Sequence, residues 1–434
     1  MARSAAFKLA LASVRHSDGS ARKVDSSRDA PDTTTTMNLY QPSAAPTERT
    51  VLSLMACVFA VFLVTGAALP ALPLYIHDGL GFSTFTVGLV SGAQFTASLL
   101  CRLWSGTISD RRGPKFAVTA GLMMAMLAGL LYLGSLMAVG HAGLAIAILL
   151  VGRVLLGGAE SFIMIGAQSW CLSLSGPSKV GRMIAWIGTA MFVALALGAP
   201  LGSVLYKSFG FASIGLATLF GSAATLLLVS PIPATNPAPQ SRKATGQVLK
   251  AVWIPGLAMA FSSLGYGIMT AFAVLLFVQR GWQPAWLSFT AFAVALMAAR
   301  VLFGPLPDRL GGARTAAIFI VIHSAGLALI WLSPEAWLAF VGSAMAGFGY
   351  ALVYPGFGME AVARSPAQAR GLAMGVYTAF IDLALGVFTP LLGLIANVLG
   401  LDLIFLIAAL LALCAVPIAM WLRTHPTQAP GIVG

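Results

Sequence analysis

Arg102-Leu-Trp-Ser-Gly106-Thr-Ile-Ser-Asp110-Arg111-Arg112-Gly113 recurs 198 residues later as Arg300-Val-Leu-Phe-Gly304-Pro-Leu-Pro-Asp308-Arg309-Leu310-Gly311, with five identities at fixed spacing. Further on, Gly152 and Gly157 match Gly342 and Gly347 at an offset of 190, and Arg182 and Leu195-Ala-Leu-Gly198 match Arg370 and Leu383-Ala-Leu-Gly386 at 188. The offset shrinks only where loops shorten, so one unit has been used twice. What that unit is follows from composition: the 434 residues are 59% hydrophobic and only 9% charged, with mean hydropathy +0.90, whereas a soluble chain carries about 25% charge. This composition belongs in a bilayer. Setting aside a polar start leaves roughly 380 residues, which at about 20 per span accommodates about a dozen helices and no sizeable soluble domain.

Apolar runs place the spans near 51–75, 84–107, 116–138, 143–171, 183–205, 211–230, 253–278, 286–306, 314–333, 336–360, 371–397 and 401–422. Spans two, four and five thus repeat as eight, ten and eleven. An even number of spans per unit makes the halves parallel repeats, related by an axis along the membrane normal. The expected organisation is a polar segment 1–50, a six-helix half 51–230, a basic, proline-rich linker 231–252, a second half 253–422 and a tail 423–434. Residues 1–50 hold no apolar core long enough for a cleavable signal, and Met37 is an alternative start.

The net charge of +12 would suit nucleic acid if it were clustered on a soluble face. It is not. Of 25 basic residues, seven precede the first span, thirteen fall in loops and a tail on one side, two (Lys207 and Arg280) fall on the other, and three (Arg102, Arg153, Arg300) lie within spans. That is the positive-inside pattern, with both termini cytoplasmic. Cys57, Cys101, Cys171 and Cys414 lie in or beside apolar runs without C-x2-C spacing and predict neither disulfide nor metal.

The stretch Gly106-Thr-Ile-Ser-Asp110-Arg111-Arg112-Gly113-Pro114-Lys115 resembles the loop 2-3 signature of the major facilitator superfamily, G-x3-D-R-x-G-R-K, with Pro114 in place of the second Arg. The wording around Tyr75-Ile-His-Asp-Gly-Leu-Gly-Phe and Phe380-Ile-Asp-Leu-Ala-Leu-Gly-Val resembles the YhhS/YfcJ type of bacterial transporters. The resemblance implies an all-α fold of twelve transmembrane helices in two pseudo-symmetric six-helix halves, in a bacterial inner membrane. It also implies a conformational gate: Asp110 at the start of span eleven near Arg370 and Gly371, and Asp308 at the start of span five near Gly181 and Arg182. Helix N-termini stabilise such anions. Gly106 and Gly304 would admit a neighbouring backbone, Gly113 and Gly311 would turn the chain, and Arg111 and Arg309 belong to the same motif. Solvated loop charges are the plain alternative for all of these.

Ionisable residues inside a span are functional candidates by default. Gly152-Arg153-Val-Leu-Leu-Gly157-Gly158-Ala159-Glu160 resembles a superfamily motif whose arginine is associated with proton coupling. Arg153 and Glu160, two turns apart on one face, either couple protons or form a structural pair. Asp382, a third of the way along span eleven, either titrates as cavity hydration changes or is fixed in an ion pair with Arg102 or Arg300. Gly198-Ala-Pro200-Leu-Gly202 is a degenerate match to the glycine-proline antiporter motif, and could equally bend its helix. Candidate cavity groups are Tyr75, Gln94, Ser263, Tyr266, Tyr350, Tyr354 and Tyr377, while His323 reads as a packing residue.

No G-x4-G-K-[ST], H-E-x2-H or G-x-S-x-G occurs. A membrane sensor would carry a soluble output domain, and an intramembrane enzyme a clustered nucleophile or metal set; neither is visible. The expected function is secondary transport of a small organic molecule by alternating access, driven by the proton gradient, without cofactor or metal, by a monomer. Efflux is preferred to uptake of a sugar or organic acid. Three span arginines against Glu160 and Asp382 leave one positive charge in excess, which favours an anionic or amphipathic substrate. The basic asymmetry predicts that reporter fusions after residue 245 and at the C-terminus both read as cytoplasmic; a periplasmic signal from either would overturn the orientation or the span count.

Overall fold

The computed structural model describes residues 48–174, 180–235, 245–366 and 369–425. The polar start including Met37, part of the 231–252 linker and the end of the tail lie outside the described residues. Every regular element among the described residues is helical. Span one is Glu48–Leu74, closed by the π turn Tyr75–Gly79. Spans two to six are Thr84–Arg112, Pro114–Met137, Ala142–Leu174, Val180–Phe209 and Ala212–Val229. Span seven is Thr245–Ala271 with Ala273–Gln279, span eight Leu287–Phe303 with Leu306–Leu310, and span nine Gly312–Leu332. Span ten is Ala336–Tyr350 with Val353–Ala363, span eleven Arg370–Leu399, and span twelve Leu401–Leu413 with Ala415–Thr424. Eleven are long and apolar enough to cross a bilayer, and the twelfth, span eight, has a first piece of 17 residues, about the minimum. The protein is an all-α, multi-pass membrane protein. Its outward-facing side chains are apolar, with Leu227 73% and Val301 74% exposed, as lipid contact requires.

One expectation changes. Span two does not end near residue 107 but continues to Arg112, because nothing interrupts it before Gly113 at φ +90°. Asp110 and Arg111 therefore ride on the helix, and Gly113 alone links spans two and three. Gly311, at φ +88°, makes the same one-residue link between Leu310 and Gly312. A side chain is strained at such φ, which explains why both copies of the motif end in glycine. Pro70, Pro73, Pro200, Pro255 and Pro390 lie inside continuous helices, whereas span eight is interrupted at Gly304-Pro305 and span ten at Ala351-Leu352, ahead of Pro355. A proline removes one N–H, and neighbouring helices in a bundle absorb that loss.

The repeat is visible in the backbone. The positive-φ glycines among the described residues are Gly81, Gly113, Gly210, Gly281, Gly311 and Gly400. They form three pairs, 81/281, 113/311 and 210/400, at offsets of 200, 198 and 190. Helix contacts repeat too. Gly157 of span four abuts the Gln94 carbonyl of span two, and Gly347 of span ten abuts the Phe292 carbonyl of span eight. Gly152 meets Tyr132 as Gly342 meets Ile330. Each contacting pair is shifted by 190 and 198 residues, the offsets of the sequence repeat. Such small-residue contacts are how helices associate in lipid, where burying apolar surface gives no net gain.

The halves meet along spans two and eleven. Thr84 Oγ1 donates to Gly393 O at 2.9 Å, and Gly88-x3-Gly92 faces Gly386, Thr389 and Pro390. Pro390 lacks the N–H that would bond the Gly386 carbonyl, and a Cβ at Gly92 would lie 3.0 Å from that oxygen. This seam lies at the end away from the basic loops. At the basic end Gly106 has nothing within 4 Å of an added Cβ, so the close backbone approach expected there is absent from this conformation. Gly304 is exposed, and its added Cβ would meet only Arg300 of its own helix. Gly157→Val and Gly347→Val are accordingly expected to abolish monodisperse folded protein in size-exclusion chromatography, while Gly106→Val folds normally; equal behaviour of all three would refute this packing.

Candidate functional site

Span two carries a polar face at four-residue spacing: Gln94, Ser98, Arg102, Gly106 and Asp110. One helical turn is about 3.6 residues, so these positions line one stripe. Midway along it, Arg102 forms an ion pair with Asp382 of span eleven, with Nε donating to Oδ2 at 3.0 Å and a terminal nitrogen donating to the same oxygen. The Ser98 hydroxyl donates to Oδ2 at 3.4 Å. Asp382 is buried and Arg102 nearly so. Of the two arginines that could have met Asp382, it is Arg102.

One turn along the stripe, Gln94 Nε2 donates to Glu160 Oε2 at 2.8 Å, and Thr65 Oγ1 of span one donates to Oε1 at 2.8 Å. Ser161 Oγ bonds the Ser98 carbonyl at 2.9 Å, so span four holds Glu160 beside the Arg102–Asp382 pair, within electrostatic reach of Asp382. The expected Arg153–Glu160 pair is not formed. Helical side chains lean toward the N-terminus, which carries Arg153 away from Glu160, and Gly157 between them is occupied by the span-two backbone. Arg153 instead reaches Tyr132 OH of span three at 3.4 Å, with its Nε buried and unpartnered.

The second half presents a different surface. Tyr266 stacks on Tyr350 with centroids 5.5 Å apart, Phe292 tilts against both, and neither tyrosine hydroxyl has a hydrogen-bond partner among the described residues. Arg300 Nε donates to Ala351 O at 3.1 Å. That carbonyl is free because its helical donor would be the N–H that Pro355 lacks. The guanidinium lies 4.2 Å from the ring centroid of Phe192 in span five, across the interface between halves. The remaining cavity candidates are engaged elsewhere. Tyr75 stacks on Phe211 at 4.0 Å and approaches Ser135, Ser263 bonds the Ala260 carbonyl, and Tyr377 OH donates to Tyr354 O while Tyr354 OH pairs with Thr378. His323 is buried between Gly265 and Gly349, with Nδ1 2.6 Å from Ala346 O. Gly198 and Gly202 press on the backbone of span one at Leu63 and Ala67.

At the basic end, Asp110 is half-buried and Arg111, Arg309 and Arg370 are exposed. Asp308 is exposed, without a hydrogen bond or ion pair among the described residues, and the side chain of Arg182 lies outside them. The neighbouring Lys115 does bind: Nζ donates to the carbonyls of Ser230 and Ile232 at 2.7 Å each, capping span six. In the other half Arg364 pairs with Glu360 and donates to Leu422 O and His425 O at the end of span twelve. Glu360 Oε1 in turn accepts from Ala313 N at the start of span nine, 3.2 Å. Cations belong at helix C-termini and anions at N-termini. Sequence reading missed Thr65, Ser98, Phe192 and these caps. Ser98 was signalled by its four-residue spacing from Gln94 and Arg102, and Thr65 by being a lone hydroxyl in the apolar run 58–74.

The Major Facilitator Superfamily model matches residues 54–299 and 281–433. The chain is 38% identical over 384 residues to an MFS-type transporter of Pseudomonas aeruginosa (strain LESB58), covering 88% of this chain and 94% of the relative. It is 35% identical over 378 residues to the MFS-type transporter YhhS of Escherichia coli (strain K12), covering 87% and 93%. Among solved structures it is similar to the nucleoside transporter NupG, with TM-score 0.65, 15% identity, and 87% and 100% coverage.

Breaking a buried ion pair by removing one partner costs about 3–5 kcal/mol, whereas replacing both partners costs far less. Arg102→Ala and Asp382→Ala are each expected to lower the unfolding temperature in detergent, and the double variant to recover part of the loss; strictly additive losses would show that the pair carries no coupling energy.

Proposed function

Because the chain belongs to the major facilitator superfamily, and is thus a secondary transporter in a membrane rather than an enzyme, we propose that it is a proton-coupled carrier in which Asp382 is the titrating group. The observation that carries this reading is the Arg102–Asp382 ion pair, the one charge contact among the described ion pairs that joins the two halves within the bundle. A charged Asp382 ties span eleven to span two. A protonated Asp382 has no charge to offer Arg102, and the halves lose that tie. Rocking of the halves moves the carboxylate toward or away from Arg102, so conformation and proton affinity are linked. Glu160 is the second acid of the relay: its ionisation is coupled to that of Asp382 through their electrostatic contact. Thr65 and Gln94 hold it in place meanwhile.

The rest of the proposal follows the same frame. The carrier sits in a bacterial inner membrane with both termini cytoplasmic, works as a monomer and exports a small amphipathic or anionic organic molecule. Export rests on the resemblance of Gly198–Gly202 to the antiporter motif. The basic-end motifs act as its conformational gate, with Asp110 and Asp308 meeting helix starts when that end closes.

The test is transport in proteoliposomes under imposed pH gradients of either sign, screened over a compound library, which also reads direction. Asp382→Asn is expected to abolish gradient-driven accumulation while retaining exchange of substrate for substrate, because the amide keeps the shape and loses the proton. A variant that still concentrates substrate at the wild-type rate would make Asp382 structural and Glu160 the leading acid.

A further inference from the structure

The repeat places an arginine twice at the same depth and surrounds it differently each time. Arg102 and Arg300 are equivalent at an offset of 198. Around Arg102 stand Ser98, Gln94, Glu160 and Asp382. The residues at the corresponding offsets are Leu296, Phe292, Tyr350 and Ala194. Every acid of the first set is thus absent from the second, and only the cation is kept.

Arg300 is accordingly not neutralised by this chain. It makes no ion pair among the described residues, and its protein hydrogen bond is the one from Nε to Ala351 O. Both terminal nitrogens are without an acceptor there, and neither is among the sealed, unpartnered buried atoms. The guanidinium is also held in a fixed plane, by that bond at its edge and by the Phe192 ring at 4.2 Å beneath it. Tyr350 and Tyr354 lie within electrostatic range of it, and Tyr350 stacks on Tyr266. The hydroxyls of Tyr266 and Tyr350 make no hydrogen bond among the described residues. A pre-oriented guanidinium fork with two free donor nitrogens matches a planar two-oxygen anion. A cation kept in a low-dielectric bundle without a counter-charge needs one from outside the chain.

We propose that Arg300 is the anchor for a carboxylate, or a comparable oxyanion, on the transported molecule, with the apolar body of that molecule lying against Phe192, Tyr350 and Tyr266. The inference rests on the reading of the chain as a carrier whose substrate binds between its halves. It assigns the two equivalent arginines different work: Arg102 holds an acid of the protein, and Arg300 holds an acid of the substrate. Phe192 comes from the first half and Arg300 from the second, so the anion is gripped at a point where the halves meet.

Binding is read without a gradient, by thermal unfolding of the purified full chain in detergent. The probe is 4-phenylbutyrate, which combines a ring with a carboxylate; its neutral amide and the amine 4-phenylbutylamine are the controls. Phenylbutyrate is expected to raise the unfolding temperature in a saturable way, and the amide and amine to leave it unchanged. Arg300→Gln should weaken phenylbutyrate binding by about ten- to a hundredfold, the worth of a charge-assisted hydrogen bond. Arg300→Lys keeps the charge without the fork and should fall between the two. Phe192→Leu, which leaves the cation in place and removes its platform, should weaken binding by less than Arg300→Gln and guards against a glutamine variant that does not fold. Equal stabilisation of the wild type and Arg300→Gln would overturn the anchor, and so would stabilisation by the amide as strong as by the acid. No effect of phenylbutyrate on the wild type up to tens of millimolar (~50 mM, at which even a millimolar site fills) would overturn the anionic class. None of these outcomes touches proton coupling through Asp382, which the gradient experiment reads with whatever substrate is carried.

Discussion

A bilayer gives helices no hydrophobic reason to leave the lipid, so a chain this apolar must be held together by other means. Here the means is contact between backbones. Where Gly157 meets Gln94, Gly347 meets Phe292 and Gly202 meets Ala67, the absence of a side chain lets two helices close to a distance no other residue permits. Everything polar in the bundle depends on this closeness. Glu160 reaches Gln94 because Gly157, three residues earlier, has drawn span two against span four, and Asp382 reaches Arg102 because Gly92 and Gly386 have drawn span eleven against span two.

Proline works in the opposite sense in the same places. Each proline inside a span removes a donor and leaves a carbonyl four residues back in need of one. At Gly386 that oxygen faces a glycine of span two, and at Ala351 it takes the Nε–H of Arg300. The irregularities of these helices are therefore where they acquire partners. The first of these two lies on the seam between spans two and eleven and the second beside the arginine of the second half.

The architecture was legible because its determinants are local. Hydropathy gives spans to within a few residues, and the duplicated Arg-x3-Gly-x3-Asp-Arg-x-Gly gives the repeat. Gly113 and Gly311 were readable as turns, since a spacing duplicated within the chain and ending in glycine has few other uses. The site was only partly legible. Gln94, Glu160, Asp382 and Arg102 were singled out separately as polar residues in apolar runs, but which would touch which depends on helix rotation. Arg153 and Glu160 share a helix face and still part company, because side chains lean one way along a helix and because another helix fills the gap between them. Tyr75 and Tyr377 look like Tyr266 in sequence. What separates them is a hydroxyl already engaged in packing, and no spacing reports that.

Lys115 and Arg364 carry a lesson about descent. Ile232, whose carbonyl Lys115 caps, and Leu422, whose carbonyl Arg364 caps, are 190 residues apart and stand at the same point of the two halves. The cations do not: Lys115 begins span three, while Arg364 ends span ten, and the residue that matches Lys115 at 198 is Ala313. The same need for a positive charge at a helix end is met from different helices in the two halves. An alignment of the two copies records only lysine opposite alanine, where the folded chain places a cation at both helix ends.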